Sequence, residues 1–185
     1  MYRSITKETA SVQLKNKTAA LLTTILCAVL LPQLIHLCAI YSGTGKALGE
    51  ALLPMHLPIM VVGYISGPVV GTIAGLLSPV ISYLLTGMPS SAILPFMCIE
   101  LMSYGMISGI IRGTKLPAVL KVLCVQAGGR MLRIAAILVC SYIFSIRTVS
   151  ISSYIDTIGR GTIGIIIQLC LISALALITK KKEQK

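Results

Sequence analysis

The chain has 185 residues, of which 56% are hydrophobic and only 11% charged, and its mean hydropathy is +0.93. A soluble domain carries about 25% charged residues, so a water-soluble globular fold is excluded. The lack of short alternating segments excludes a β-barrel. The formal charge of +11 does not indicate nucleic acid, because most basic residues stand at the ends of apolar segments, where they set membrane topology.

In chain order, residues 1–17 read as a polar cytoplasmic tail carrying Arg3, Lys7, Lys15 and Lys17. That tail is too long, and the apolar run after it too uninterrupted, for a cleaved signal peptide. A first membrane helix is expected from about Thr18 to Ile40. The Gly-rich loop Ser42-Gly43-Thr44-Gly45-Lys46 lacks the G-x-x-x-x-G-K-[ST] spacing of a phosphate loop and follows no strand. A short second helix is expected over about Leu52–Ile65, broken early by Pro54 and Pro58. Gly67-Pro68 marks a tight turn into a third, ending near Leu85. The loop Gly87-Met88-Pro89-Ser90-Ser91 leads to a fourth over Ala92–Ile111, and Arg112-Gly113-Thr114-Lys115 to a fifth over Pro117–Phe144. A polar connection through Arg147, Asp156 and Arg160 precedes the sixth, Thr162–Ile178.

The expected fold class is thus an all-α integral membrane protein. It has six transmembrane helices in a single domain over residues 18–179 and a basic tail over 180–185. With the N-terminus inside, the internal segments hold Arg3, Lys7, Lys15, Lys17, Arg112, Lys115, Lys121, Lys180, Lys181, Lys182 and Lys185. The external loops hold only Lys46, Arg147 and Arg160. This bias puts both termini in the cytoplasm.

Gly63, Gly67, Gly71 and Gly75 recur every four residues, Pro79 continues the spacing, and Gly105, Gly109 and Gly113 repeat the device. Close approach of backbones drives helix association in lipid, so these faces are expected to pack on other helices. Ala20, Thr24 and Ala28 form a similar small face on the first helix, a candidate for docking another protein. The six cysteines (Cys27, Cys38, Cys98, Cys124, Cys140 and Cys170) lie in or beside apolar runs with no C-x-x-C pair. They are expected as small packing residues rather than metal ligands or disulfide partners.

Between Ala51 and Ile111 the only ionised side chain is Glu100. A carboxylate inside a membrane helix costs about 2.5–3.5 kcal/mol on insertion scales, so it is paired, faces a cavity, or both. Arg130 and Arg133 in the fifth helix are its expected partners, with Gln126 one turn before Arg130. Glu100 lies about 12 Å down its helix and Arg133 about 16 Å down its own, so the two can meet in the outer half of the membrane. His56 and Tyr104 add polar groups nearby. The surplus positive charge suits an anionic or strongly hydrogen-bonding ligand; a purely helix-locking ion pair is the alternative. No catalytic constellation, metal motif or cofactor motif emerges, so an enzyme is not expected.

The segment Leu53-Pro54-Met55-His56-Leu57-Pro58, with Gly67-Pro68, Gly71, Ser78-Pro79, Gly87-Met88-Pro89, Glu100, Tyr104-Gly105 and Gly129-Arg130, resembles the substrate-binding (S) components of energy-coupling factor (ECF) vitamin transporters. The resemblance extends over nearly the whole chain. It implies a subunit of a bacterial plasma membrane that captures a vitamin or related micronutrient from outside. The ligand is then released inward with the help of a transmembrane coupling subunit and two cytoplasmic ATPases. Met88, in the Gly-Met-Pro loop over the entrance, joins His56, Glu100, Tyr104, Gln126, Arg130 and Arg133 as an expected ligand-site residue, and the resemblance implies docking of the coupling subunit on Ala20, Thr24 and Ala28. Thr24 departs from the family's Ala-x-x-x-Ala. Both a carboxylate-bearing vitamin and a guanine-like queuosine precursor fit these residues. The competing classes are a structural or assembly membrane protein and a solitary secondary transporter, although no internal repeat of the kind many such carriers show is present.

Overall fold

Between Tyr2 and Ser42 the sole helix-breaking residue is Pro32, and the computed structural model accordingly has one 41-residue helix, α1, over that whole range. The structure describes residues 2–43, 47–143 and 149–183. Lys46, Arg147 and Lys185, counted in the charge bias above, lie outside them. The expected polar tail is therefore helical from Tyr2 onward. Polar residues end the apolar run at about Gln13 but not the helix, because Ser, Thr, Lys and Glu lack the backbone defects of Pro and Gly.

The remaining elements are α2 (Ala47–Leu52), α3 (His56–Ser66), α4 (Pro68–Thr86), α5 (Leu94–Ile111), α6 (Ala118–Tyr142), α7 (Ile151–Arg160) and α8 (Thr162–Glu183). The described chain is all-helical. Four stretches are long and apolar enough to cross a membrane: Gln13–Ser42 of α1, α4, α5 and α6. A fifth exists if α7 and the first part of α8, bent by 58° at Gly161, count together. α3 has 11 residues, a rise of about 16 Å, which is half a bilayer. α7 replaces what reads as a polar connection. Its polar residues line one side only, and its N-terminus is capped by Ser150 Oγ, which accepts from the Ser153 N–H at 3.2 Å.

Close backbone packing organises α3, α4 and α5. A single residue, Gly67, joins α3 to α4, with φ 97°, a conformation open to glycine and costly for other residues. A Cβ at Gly63 or Gly71 would run into the Gly105 carbonyl, one at Gly75 into the Leu101 carbonyl, and one at Gly109 into the backbone of Pro68. The ladder thus works as expected at these positions. Gly67 serves the turn instead, and nothing crowds Gly113. Ser108 Oγ adds a 2.7 Å hydrogen bond to the Met60 carbonyl across the same interface.

α1 packs on α3 and α4, and α6 on α5 and α8. Ala28 is fully buried, Thr24 is buried, and Ala20 packs against the same core. Two of the three residues expected to dock a partner, Thr24 and Ala28, thus pack inside the molecule, and Ala20 is half-buried. The exposed side of α1 is instead a stripe of Leu22, Leu26, Leu30, Leu34 and Leu37. Of the cysteines only Cys98 is buried, so an internal packing role falls to it, while Cys27, Cys38, Cys124 and Cys170 are exposed.

The two ends of the bundle differ. At one, Arg112 donates to the Ile65 carbonyl at 2.7 Å and to that of Tyr64, satisfying the last turn of α3. Lys121 Nζ donates to the Arg112 carbonyl at 2.7 Å. Lys121 is therefore a buried, tied residue of α6 rather than a loop charge. The opposite end, where α4 stops and α5 starts, holds a cavity.

Candidate ligand site

Every long helix except α8 reaches this cavity, which measures about 290 Å³. Pro32, Gln33 and His36 come from the second half of α1, Ser82 from α4, Met97 and Glu100 from α5, Arg130 and Arg133 from α6. The α2–α3 junction supplies Leu53 to His56, the α4–α5 loop supplies Met88, Pro89 and Ile93, and α7 supplies Tyr154, Thr157 and Ile158.

Glu100 is the hub. Its Oε2 accepts from Arg133 Nη1 at 2.6 Å, and its Oε1 accepts from the hydroxyls of Tyr104 at 3.0 Å and Tyr154 at 2.9 Å. His56 Nε2 stands 4.0 Å from Oε2, beyond direct hydrogen-bond reach. The His56 and Tyr104 rings lie 5.3 Å apart. The Arg133 guanidinium lies 4.3 Å from the centre of the Tyr154 ring, so this tyrosine holds both members of the ion pair. Glu100 is 3% exposed and Arg133 8%. Such a pair is tolerable in a dry interior only with additional hydrogen bonds, which the two tyrosine hydroxyls supply here to Glu100.

Arg130 belongs to a different chain of contacts. It does not join Glu100. Its Nη1 donates to Gln126 Oε1 at 2.6 Å, Gln126 Nε2 donates to Gln168 Oε1 at 3.0 Å, and Gln168 Nε2 donates to the Leu53 carbonyl at 3.3 Å. Leu53 has φ 47°, a left-handed conformation costing a side-chain-bearing residue roughly 1–2 kcal/mol. Its N–H reaches the Gly49 carbonyl at 3.2 Å. Gly164 of α8 lies so close to Leu52 that a Cβ would strike its carbonyl. Strain is thus clamped at the cavity wall by two α8 residues, Gln168 and Gly164.

Five of the seven residues expected in the ligand site line the cavity: His56, Met88, Glu100, Arg130 and Arg133. Tyr104 and Gln126 do not. They stand behind it, Tyr104 under Glu100 and Gln126 under Arg130, where they orient the charged groups. Sequence reasoning missed Tyr154 and Gln168, which bond to the charged groups and their supports, and also Gln33, His36, Ser82 and Thr157 on the cavity wall. A buried tyrosine in a helix with one apolar side, and a lone glutamine in the apolar run of α8, were the available signals.

Fold and site together define an all-helical, membrane-embedded protein with a charged cavity floor at one end of the bundle. Compared with protein-family models, with curated proteins and with solved structures, the chain matches none.

Proposed function

We propose that the protein is the substrate-capture subunit of an ATP-driven importer of the energy-coupling factor type, taking up a vitamin or related micronutrient. One observation carries the reading: a partly open cavity at one end of an apolar bundle, lined by a carboxylate and two arginines. Ionisable groups in membrane segments are costly and mark ligand or ion pathways. Sequence resemblance supplies the class. In this reading α3 is a sixth, half-length membrane element, both termini are cytoplasmic, and the cavity opens outward, away from Arg112, Lys115 and Lys121. Alternating helix directions support that layout: α1, α4 and α6 run toward the cavity end, while α3 and α5 run away from it. The chain supplies capture and not catalysis; ATP hydrolysis falls to partner subunits. Thr24 and Ala28 are buried within the bundle, which leaves the half-buried Ala20 as the part of that face within reach of a coupling subunit.

A second reading has an observation of its own. Glu100 accepts three hydrogen bonds from within the protein, which favours a helix-locking role for its pair with Arg133 whether or not a ligand binds beside it.

Reconstituted alone in proteoliposomes, the chain should bind ligand without accumulating it. Adding the coupling subunit and ATPases should give uptake that stops when ATP is withdrawn. Concentrative uptake by the chain alone would overturn the proposal in favour of a secondary carrier.

A further inference from the structure

Resting on the capture reading above, we infer that the ligand is a small organic anion held through its carboxylate by Arg130, and that Glu100 does not read the ligand. A guanine-like edge needs a carboxylate able to accept two parallel N–H donors. An ionised carboxylate offers about four lone-pair positions. On Glu100, two tyrosine hydroxyls occupy Oε1 and Arg133 occupies one position of Oε2, which leaves a single acceptor position. No pair of positions is left facing the cavity.

Charge leads to the same place. Among the described residues lining the cavity, the ionised groups are Glu100, Arg130 and Arg133. Glu100 neutralises Arg133, and Asp156 of α7 is exposed and does not line the cavity. Arg130 is left with a neutral partner, Gln126, on one nitrogen and further N–H donors of its fork to place. Two buried nitrogens on other cavity-lining residues also lack partners: Arg133 Nε, a donor, and His56 Nδ1, which donates in one tautomer of the ring. A planar oxyanion satisfies such a set, because guanidinium and carboxylate match in bidentate geometry.

The other walls fix the rest of the ligand. Pro54, Met55, Met88, Pro89, Ile93 and Met97 make an apolar surface opposite the arginines. The volume of about 290 Å³ lies just below the roughly 300–1,000 Å³ of drug-sized sites. It admits a short chain or one small ring system bearing a carboxylate and leaves no room for a corrinoid. Gln126 and Gln168 are positioning residues that hold the Arg130 fork toward the cavity.

The test uses the full chain in lipid nanodiscs and probe pairs that differ in the carboxylate alone: pantothenate with pantothenyl alcohol, biotin with biotinamide, and lipoate with lipoamide. A neutral 7-deazaguanine represents the competing chemistry. Calorimetry and melting temperature should show at least one carboxylate binding, with its neutral twin about 100-fold weaker. Arg130→Gln should weaken that carboxylate by a similar factor while moving the unliganded melting temperature by no more than about 4 °C, and Arg130→Lys should recover part of the affinity. The inference is overturned if a neutral twin binds as well as its acid, if the deazaguanine binds in preference, if Arg130→Gln binds normally, or if no probe binds. ATP-dependent uptake of a neutral compound would sink the anion site and keep the capture reading. Carboxylate binding by a chain that never supports ATP-coupled uptake would do the reverse.

Discussion

The α3–α4–α5 trio and the cavity wall opposite it are built on different principles. In the trio, Gly63, Gly71, Gly75, Gly105 and Gly109 let backbones touch, so cohesion comes mainly from shape, with the Ser108–Met60 hydrogen bond added. Across the cavity, α6 and α7 join α5 through polar links: Arg133 and Tyr154 on Glu100, then Gln126 and Gln168 toward the strained Leu53. Lipid is as apolar as a leucine side chain, so helices gain little by hiding apolar surface and associate by fit or by hydrogen bonds. The molecule uses fit where it must be rigid. It uses hydrogen bonds where a space has to stay open.

Overfilling the trio should produce the largest effect. Gly105→Leu places a side chain where the Gly71 backbone lies, and no flexible neighbour can yield. The expected outcome is loss of monodisperse protein in detergent, read by fluorescence-detected size exclusion. Normal elution would mean that the close backbone approach does not carry the fold. A fall of about 10 °C in melting temperature is expected for Glu100→Gln. Uncovering a buried Arg133 costs roughly 3–5 kcal/mol, and a chain of this size shifts about 2–4 °C per kcal/mol. The double substitution with Arg133→Gln should recover part of the loss; a double variant no better than the single one would show that Glu100 matters through its tyrosines alone. Tyr154→Phe should be the mildest. It removes one hydrogen bond, worth about 1 kcal/mol, and keeps the ring on Arg133, so the melting temperature should drop by about 3 °C. A drop as large as that of Glu100→Gln would make α7 part of the rigid half and erase the contrast between the two regions.

Much of the site was legible because charge in an apolar run is conspicuous. Glu100, Arg130 and Arg133 stand out in any hydropathy reading, and helical rise alone brings Glu100 and Arg133 to compatible depths. How the two arginines divide their work was not legible. Residues three apart on a helix point in directions that differ by a large part of a quarter turn; one meets the acid and the other a glutamine. Tyr154 was hidden for another reason: its segment holds Asp156 and Arg160 and passes for a loop until its apolar side is seen to rest on the cavity. The face of Ala20, Thr24 and Ala28 shows the opposite limit. Small residues announce close packing but do not say whether the neighbour belongs to the same chain.

By itself, then, the sequence determined the membrane environment, the helical class, the glycine seams and the identity of the buried ionisable groups. These follow from composition and from spacing along one helix, which are local properties. Tertiary structure decided which groups pair, which seam is internal, and that Glu100 is largely taken up while Arg130 keeps donors toward the cavity. Those outcomes depend on the relative rotation of α5, α6, α7 and α8 about their axes. That rotation is set by packing summed over the whole bundle, and no single segment encodes it.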